Sequence, residues 1–158
     1  MKYLKATVAA AGVALAATIV VAGGHANPAV EAGVKARKAH MQLYAHNLGR
    51  LGAMAKGEAP YDSEAAASAA ANLAALSRLS QQGYWPEGSS NESFENTRAL
   101  PAIWNDLPGV MEKSAALTEA TASLADAAGT DLASLQAAIG AVGGACGACH
   151  KAYRQSDN

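Results

Sequence analysis

The sequence predicts an all-α fold, an antiparallel bundle of four helices, from three observations. Forty-one of the 158 residues are Ala, against one Phe and two Trp. Ala gives up no side-chain entropy in a helix, whereas strands draw on β-branched and aromatic residues. Larger apolar residues recur at steps of three and four in four stretches, the period of one helix face. Clusters of Gly, Pro, Ser and Asp separate the stretches and leave two short connections and one long one, which suits antiparallel neighbours packed at shallow angles. The length fits one domain, and an all-β sandwich is excluded.

Residues 1–26 stand apart from that domain. Lys2 and Lys5 precede an apolar stretch from Ala6 to Ala22, and Gly24-His25-Ala26 puts small residues at a cleavage site. This reads as a secretory signal cut after Ala26, leaving residues 27–158 as the mature domain. A membrane anchor is the competing reading, because a run of about 17 residues lies at the lower edge of spanning length; the small-residue exit favours cleavage. No second hydrophobic segment is expected, so the mature chain is predicted to be periplasmic, with no stable membrane anchor.

Helix one is expected from Pro28 to about Lys56, with Val30, Val34, Arg37, Met41, Tyr44, Leu48 and Leu51 on one face. Gly57 to Tyr61 breaks it. Asp62 or Ser63 then caps helix two, which runs to about Gln82 and carries Glu64 in its first turn, where a negative charge suits the helix dipole. Gly83 to Arg98 shows no period and reads as a long surface loop. Pro101 opens helix three, with Ile103, Leu107, Val110, Leu117 and Leu124 as its apolar face, and Pro108 is expected to bend or restart it. Gly129-Thr130-Asp131 ends that helix and caps the fourth. There Leu132, Leu135, Ile139, Val142, Cys146, Cys149 and Tyr153 share a face, which places both cysteines on the buried side.

Charge narrows the partners. The whole chain carries a formal charge of -1, and removing Lys2 and Lys5 leaves ten basic against thirteen acidic residues, with no basic run. No nucleic-acid partner is expected.

Cys146-Gly147-Ala148-Cys149-His150 is a C-x-x-C-H sequence, the signature of covalent haem c attachment, and holds the only two cysteines of the chain. Two thiols three residues apart can add to the two vinyl groups of a haem, and the adjacent imidazole is then held where it can bind iron. Three other chemistries compete. A redox dithiol belongs next to a βαβ unit, which this chain lacks. A zinc site needs two more suitably spaced ligands, and the other mature histidines, His40 and His46, both lie on helix one. A disulfide would close a small strained loop and stabilise little. The predicted cofactor is therefore haem c, one per chain.

With Lys151-Ala152-Tyr153-Arg154 after the motif, the chain resembles the class II c-type cytochromes, which include cytochrome c-prime. The resemblance extends to Arg37 and Met41, to the turn from Ala55 to Asp62, and to Pro101-Ala102-Ile103-Trp104. It implies thioether bonds from Cys146 and Cys149, His150 as the proximal iron ligand, Arg37 near a haem propionate and Arg154 near the proximal imidazole. An Arg on an otherwise apolar stripe also needs an anionic partner on general grounds, unless it snorkels to solvent at the helix end.

Met41 matches the position over the distal side of the iron. In the low-spin branch of the family a Met there is the sixth ligand and the protein transfers electrons. In cytochrome c-prime the iron is five-coordinate and binds NO or CO. The Leu51 to Asp62 segment and Gly147 look closer to the low-spin branch, so Met41 is expected to bind iron. His40 is rotated about 100° from Met41 and is expected at the bundle edge, with His46 also at the surface. Tyr44 and Tyr61 suit either the haem pocket or the core. The predicted activity is one-electron transfer to redox partner proteins, without substrate turnover. The resemblance also implies a homodimer through helices one and two, where Ala65, Ala69 and Asn72 allow close approach.

Overall fold

The structure is a computed structural model and describes residues 27–156; the expected signal segment lies outside the described residues. Five helices follow in order: α1 Pro28–Ala55, α2 Ser63–Arg78, α3 Ala102–Asn105, α4 Leu107–Ala127 and α5 Leu132–Tyr153. The four long ones form the bundle, and α3 is a single turn ahead of α4. Each long helix starts on a side-chain cap. Asn27, Asp62, Asp106 and Asp131 accept from Ala29, Ala65, Gly109 and Ser134 N–H groups, satisfying donors that have no partner inside the helix.

The helices alternate in direction. The α1–α2 and α4–α5 turns therefore share one end of the bundle, where the Tyr61 hydroxyl donates to the Ala128 carbonyl at 2.9 Å. The long 79–101 connection and the C-terminus of α5 share the other end. Leu51, Leu73, Leu124 and Leu135 are fully buried along the axis, with Ala66, Ala69 and Ala70 of α2 among them. Small side chains let α2 approach its neighbours closely, so this part of the core is filled with few aromatic rings.

Three expectations need correction. Helix α2 stops at Arg78, not near Gln82, because Leu79 turns extended (φ -64°, ψ 136°). The third helix restarts next to Pro108 as expected, but the break is complete: Asp106 (φ -138°, ψ 57°) separates the single turn of α3 from α4, which it caps, with Pro108 in the first turn. The 83–98 segment is not simply a surface loop. Ser89 and Ser90 are buried, and the segment lies so close to α1 that a Cβ on Gly33 would meet the Gly83 carbonyl and Pro86 Cδ at 2.7 Å each.

Helix α5 departs from expectation in its covering. Against the expectation of no second hydrophobic segment, it is, among the described residues, the one helix that is long and apolar enough to cross a membrane, and only 11% of its apolar window is buried. It packs against α1 and α4 as a bundle helix, yet at Gly140, Gly143, Gly144 and Gly147 a Cβ would meet nothing within 4 Å, so these positions leave open space along it. Cys146 and Cys149 are accordingly half-buried rather than fully enclosed.

Candidate haem site

The last two turns of α5 present Cys146, Cys149 and His150 at spacings of three and four, which puts them on neighbouring positions of one face. Cys146 packs at the side of the main core, close to Tyr44. Cys149 packs in a second cluster with Ile103, Trp104, Val110, Trp85 and Tyr153. Both thiols are free, and burial raises their pKa values. For His150, burial and then the charges of Arg154 and Arg98 lower the pKa. These influences favour the neutral imidazole, the form that binds a metal.

Opposite this face runs α1, antiparallel to α5. Gln136 Nε2 donates to the Ala55 carbonyl at 2.7 Å, Ile139 and Gly143 face Leu48, Gly49 and Gly52, and Tyr44 lies beside Cys146. Continued by one turn, that register brings Met41 level with Cys149 and His150. Met41 is 38% exposed, so its thioether is not absorbed into the core. The α1–α5 seam is also the most sparsely packed of the seams between adjacent long helices.

Arg37, one turn before Met41, is buried. Its Nη1 donates to the Tyr84 carbonyl (3.2 Å) and Ser89 Oγ (2.7 Å), and its Nη2 to the Ser89 carbonyl (2.5 Å) and Thr97 Oγ1 (2.6 Å). The guanidinium also lies over the Trp85 ring, 4.9 Å from its centroid. It does not snorkel to solvent. All four oxygens are neutral, and burial lowers its pKa. Arg154 is exposed at the end of α5, with its N–H on the His150 carbonyl at 3.0 Å, and its charge acts on the His150 ring.

His40 is not at the bundle edge. It is buried, its Nε2 donates to the Leu76 carbonyl at 3.1 Å, and its ring stacks on Tyr44 at 4.9 Å and meets the edge of Tyr84 at 5.8 Å. The helical rotation from Met41 was read correctly, but the direction it points to is occupied by α2. His46 is exposed. Tyr44 belongs to the core, while Tyr61 sits at the far end of the bundle. Sequence reading missed Tyr84, Ser89 and Thr97, which fix Arg37; no periodicity marks them because they lie in an irregular segment.

The donor set fits a covalently held haem: paired half-buried thiols, a neutral imidazole beside them, an incompletely covered apolar helix face and a thioether across a loosely packed seam. A family model described as Cytochrome C' matches residues 32–154. The chain belongs to the cytochrome c' family. Members of the family carry covalently attached haem c, and haem c is the cofactor of this chain. Cytochrome c-554 of Cereibacter sphaeroides is 47% identical over 128 residues, covering 81% of this chain and 84% of that protein. The solved structure titled cytochrome c' from Rhodobacter Spheriodes superposes with a TM-score of 0.79 at 41% identity, covering 81% of this chain and 98% of that one. A nitric oxide complex of a cytochrome c prime variant from Alcaligenes xylosoxidans gives a TM-score of 0.69 at 36% identity, covering 80% and 97%. Solved relatives in the cytochrome c' family are four-helix bundles with haem c, and this chain shares that architecture.

Proposed function

We propose that this cytochrome c' family chain is an exported one-electron carrier, with Cys146 and Cys149 holding haem c by thioether bonds and His150 and Met41 as its axial ligands. One observation supports the reading above all: the antiparallel α1–α5 register marked by Gln136 and Ala55, extended along both helices, carries Met41 toward the level of His150, and its side chain is 38% exposed rather than packed in the core. The bound haem supplies a one-electron iron couple. A neutral thioether favours the ferrous state and raises the potential, and retaining both ligands in both oxidation states limits rearrangement during transfer.

The other residues take supporting roles. Arg37 is a buried cation met only by neutral oxygens, so a haem propionate beside it would supply the missing counter-charge. Arg154 lies beside the proximal imidazole, where its charge disfavours protonation. The protein works in the periplasm after loss of its signal, passes electrons to redox partner proteins, and turns over no substrate. A homodimer through α1 and α2 would not use Ala69, which is fully buried inside the bundle, and Asn72 bonds Asn47 of α1 in the same chain; the exposed Ser68, Ala71 and Ala75 of α2 are the small residues left for a second copy to approach.

The visible spectrum of the purified protein, oxidised, reduced and then exposed to CO, tests this. Sharp low-spin bands with no response to CO are expected. Broad bands that shift with CO would establish the second reading, in which Met41 stands beside an open iron site that binds small gases. The nitric oxide complex of the Alcaligenes xylosoxidans relative favours that reading.

A further inference from the structure

A ligand in the last turn of a helix has a mechanical weakness. Helix ends fray, because the last four carbonyls have no partner inside the helix. His150 lies three residues from the end of α5, and the direction of its imidazole depends on that turn staying wound. The residues after it are held unusually firmly.

Tyr153, the last residue of α5, is buried, and its hydroxyl donates to Asp106 Oδ2 at 2.6 Å. Asp106 is the N-cap of α4, and its other oxygen, Oδ1, accepts from the Gly109 N–H at 3.1 Å. A Cβ on Gly109 would collide with both the Asp106 carboxylate and the Tyr153 hydroxyl, so only glycine leaves room for the bond. The backbone is held from a second side. The Tyr153 carbonyl accepts from Leu100 N at 2.9 Å, Gln155 N donates to the Arg98 carbonyl at 2.8 Å, and the Arg98 guanidinium closes on the Gln155 carbonyl at 3.0 and 3.2 Å.

We propose that Tyr153 and Asp106 are positioning residues for His150: their hydrogen bond fixes the roll of the last α5 turn against α4 and so sets the orientation of the proximal imidazole. The inference rests on His150 as the iron ligand. A phenol donating to a carboxylate makes a charge-assisted bond, about twice as strong as a neutral one. The same bond lowers the pKa of Asp106 and raises that of Tyr153 to about 12. Tyr153 also packs in the cluster that contains Cys149, so the restraint acts on the turn that bears two of the three motif residues.

The test compares the ferric holoprotein with Tyr153→Phe, Asp106→Asn and the double variant by electron paramagnetic resonance, alongside thermal melting. Phe keeps the ring in its cluster, and Asn retains the N-cap, so at least one single variant assembles. Wild type is expected to give one set of g values. Each single variant is expected to shift them or add a second population, and the double variant to add nothing further, because both changes break the same bond. Melting temperatures that fall while g values stay at the wild-type position would overturn the proposal and leave the pair a purely structural contact. A His150→Ala holoprotein with wild-type g values would instead remove His150 as the ligand, and the positioning role with it.

Discussion

Arg37 and Ser89, 52 residues apart, are joined twice: the guanidinium donates to the Ser89 hydroxyl at 2.7 Å and to its carbonyl at 2.5 Å. A side chain on α1 thereby fixes the irregular segment that closes the haem end of the bundle. Thr97 and the Tyr84 carbonyl complete the same grip. Arg37→Ala leaves the buried Ser89 carbonyl without its partner, at about 1 to 3 kcal/mol for an uncompensated group, and releases the half-buried Tyr84 carbonyl and Thr97 hydroxyl. A fall in melting temperature of several degrees and faster proteolysis within residues 81–98 are the expected outcomes. Arg37→Lys should recover little, because an ammonium cannot span four oxygens with fixed geometry.

Gly33 sets how closely that segment approaches. Gly33→Ala puts a Cβ within 2.7 Å of the Gly83 carbonyl and Pro86 Cδ. Relief requires backbone movement, and overpacking of this kind costs about 1 to 3 kcal/mol. Chemical denaturation should show the loss, and Gly49→Ala, where nothing lies within 4 Å, should show none of it.

His40 predicts a pH dependence. Burial lowers its folded-state pKa below the ordinary 6.5. As pH falls through about 6.5, the unfolded chain takes up a proton that the folded chain excludes, so stability declines toward acid and is fully present above that value. His40→Gln retains a donor for the Leu76 carbonyl but does not titrate. Its stability should vary less between pH 7 and pH 5 than that of wild type, measured by urea unfolding at each pH; equal slopes would show that other groups carry the dependence.

Met41→Ala is expected to convert six-coordinate iron to five-coordinate and to make the ferrous protein respond to CO. Because Met41 is 38% exposed, loss of its core contacts should cost little, about 1 kcal/mol on area grounds. An unchanged visible spectrum would show that Met41 is not a ligand.

Loss of His150, or of both cysteines, should abolish stable holoprotein, since a haem held at this motif would cover apolar surface that α5 otherwise leaves open, and its loss would leave a cavity. Haem staining after denaturing electrophoresis, together with the melting temperature, reads this directly. An apo form with native stability would contradict it.

Legibility divides along the distance between interacting residues. The four long helices announced themselves through local periodicity and caps, and the boundaries of α1 and α5 came close because Pro28, Asp131 and Tyr153 are local signals. The end of α2 was misplaced because no local signal marks Leu79. The buried position of His40 was hidden because helical rotation gives an angle but not the identity of the neighbour in that direction.

The sequence by itself determined the helical class, the C-x-x-C-H motif and hence the covalent cofactor, because each depends on residues a few positions apart. Tertiary structure alone decided the α1–α5 register that Gln136 and Ala55 mark, that Arg37 grips residues 84–97 rather than reaching solvent, and that Asp106 holds Tyr153. Those relations join residues 47 to 81 positions apart, and only the packing of the helices and of the long connection against them brings those residues together.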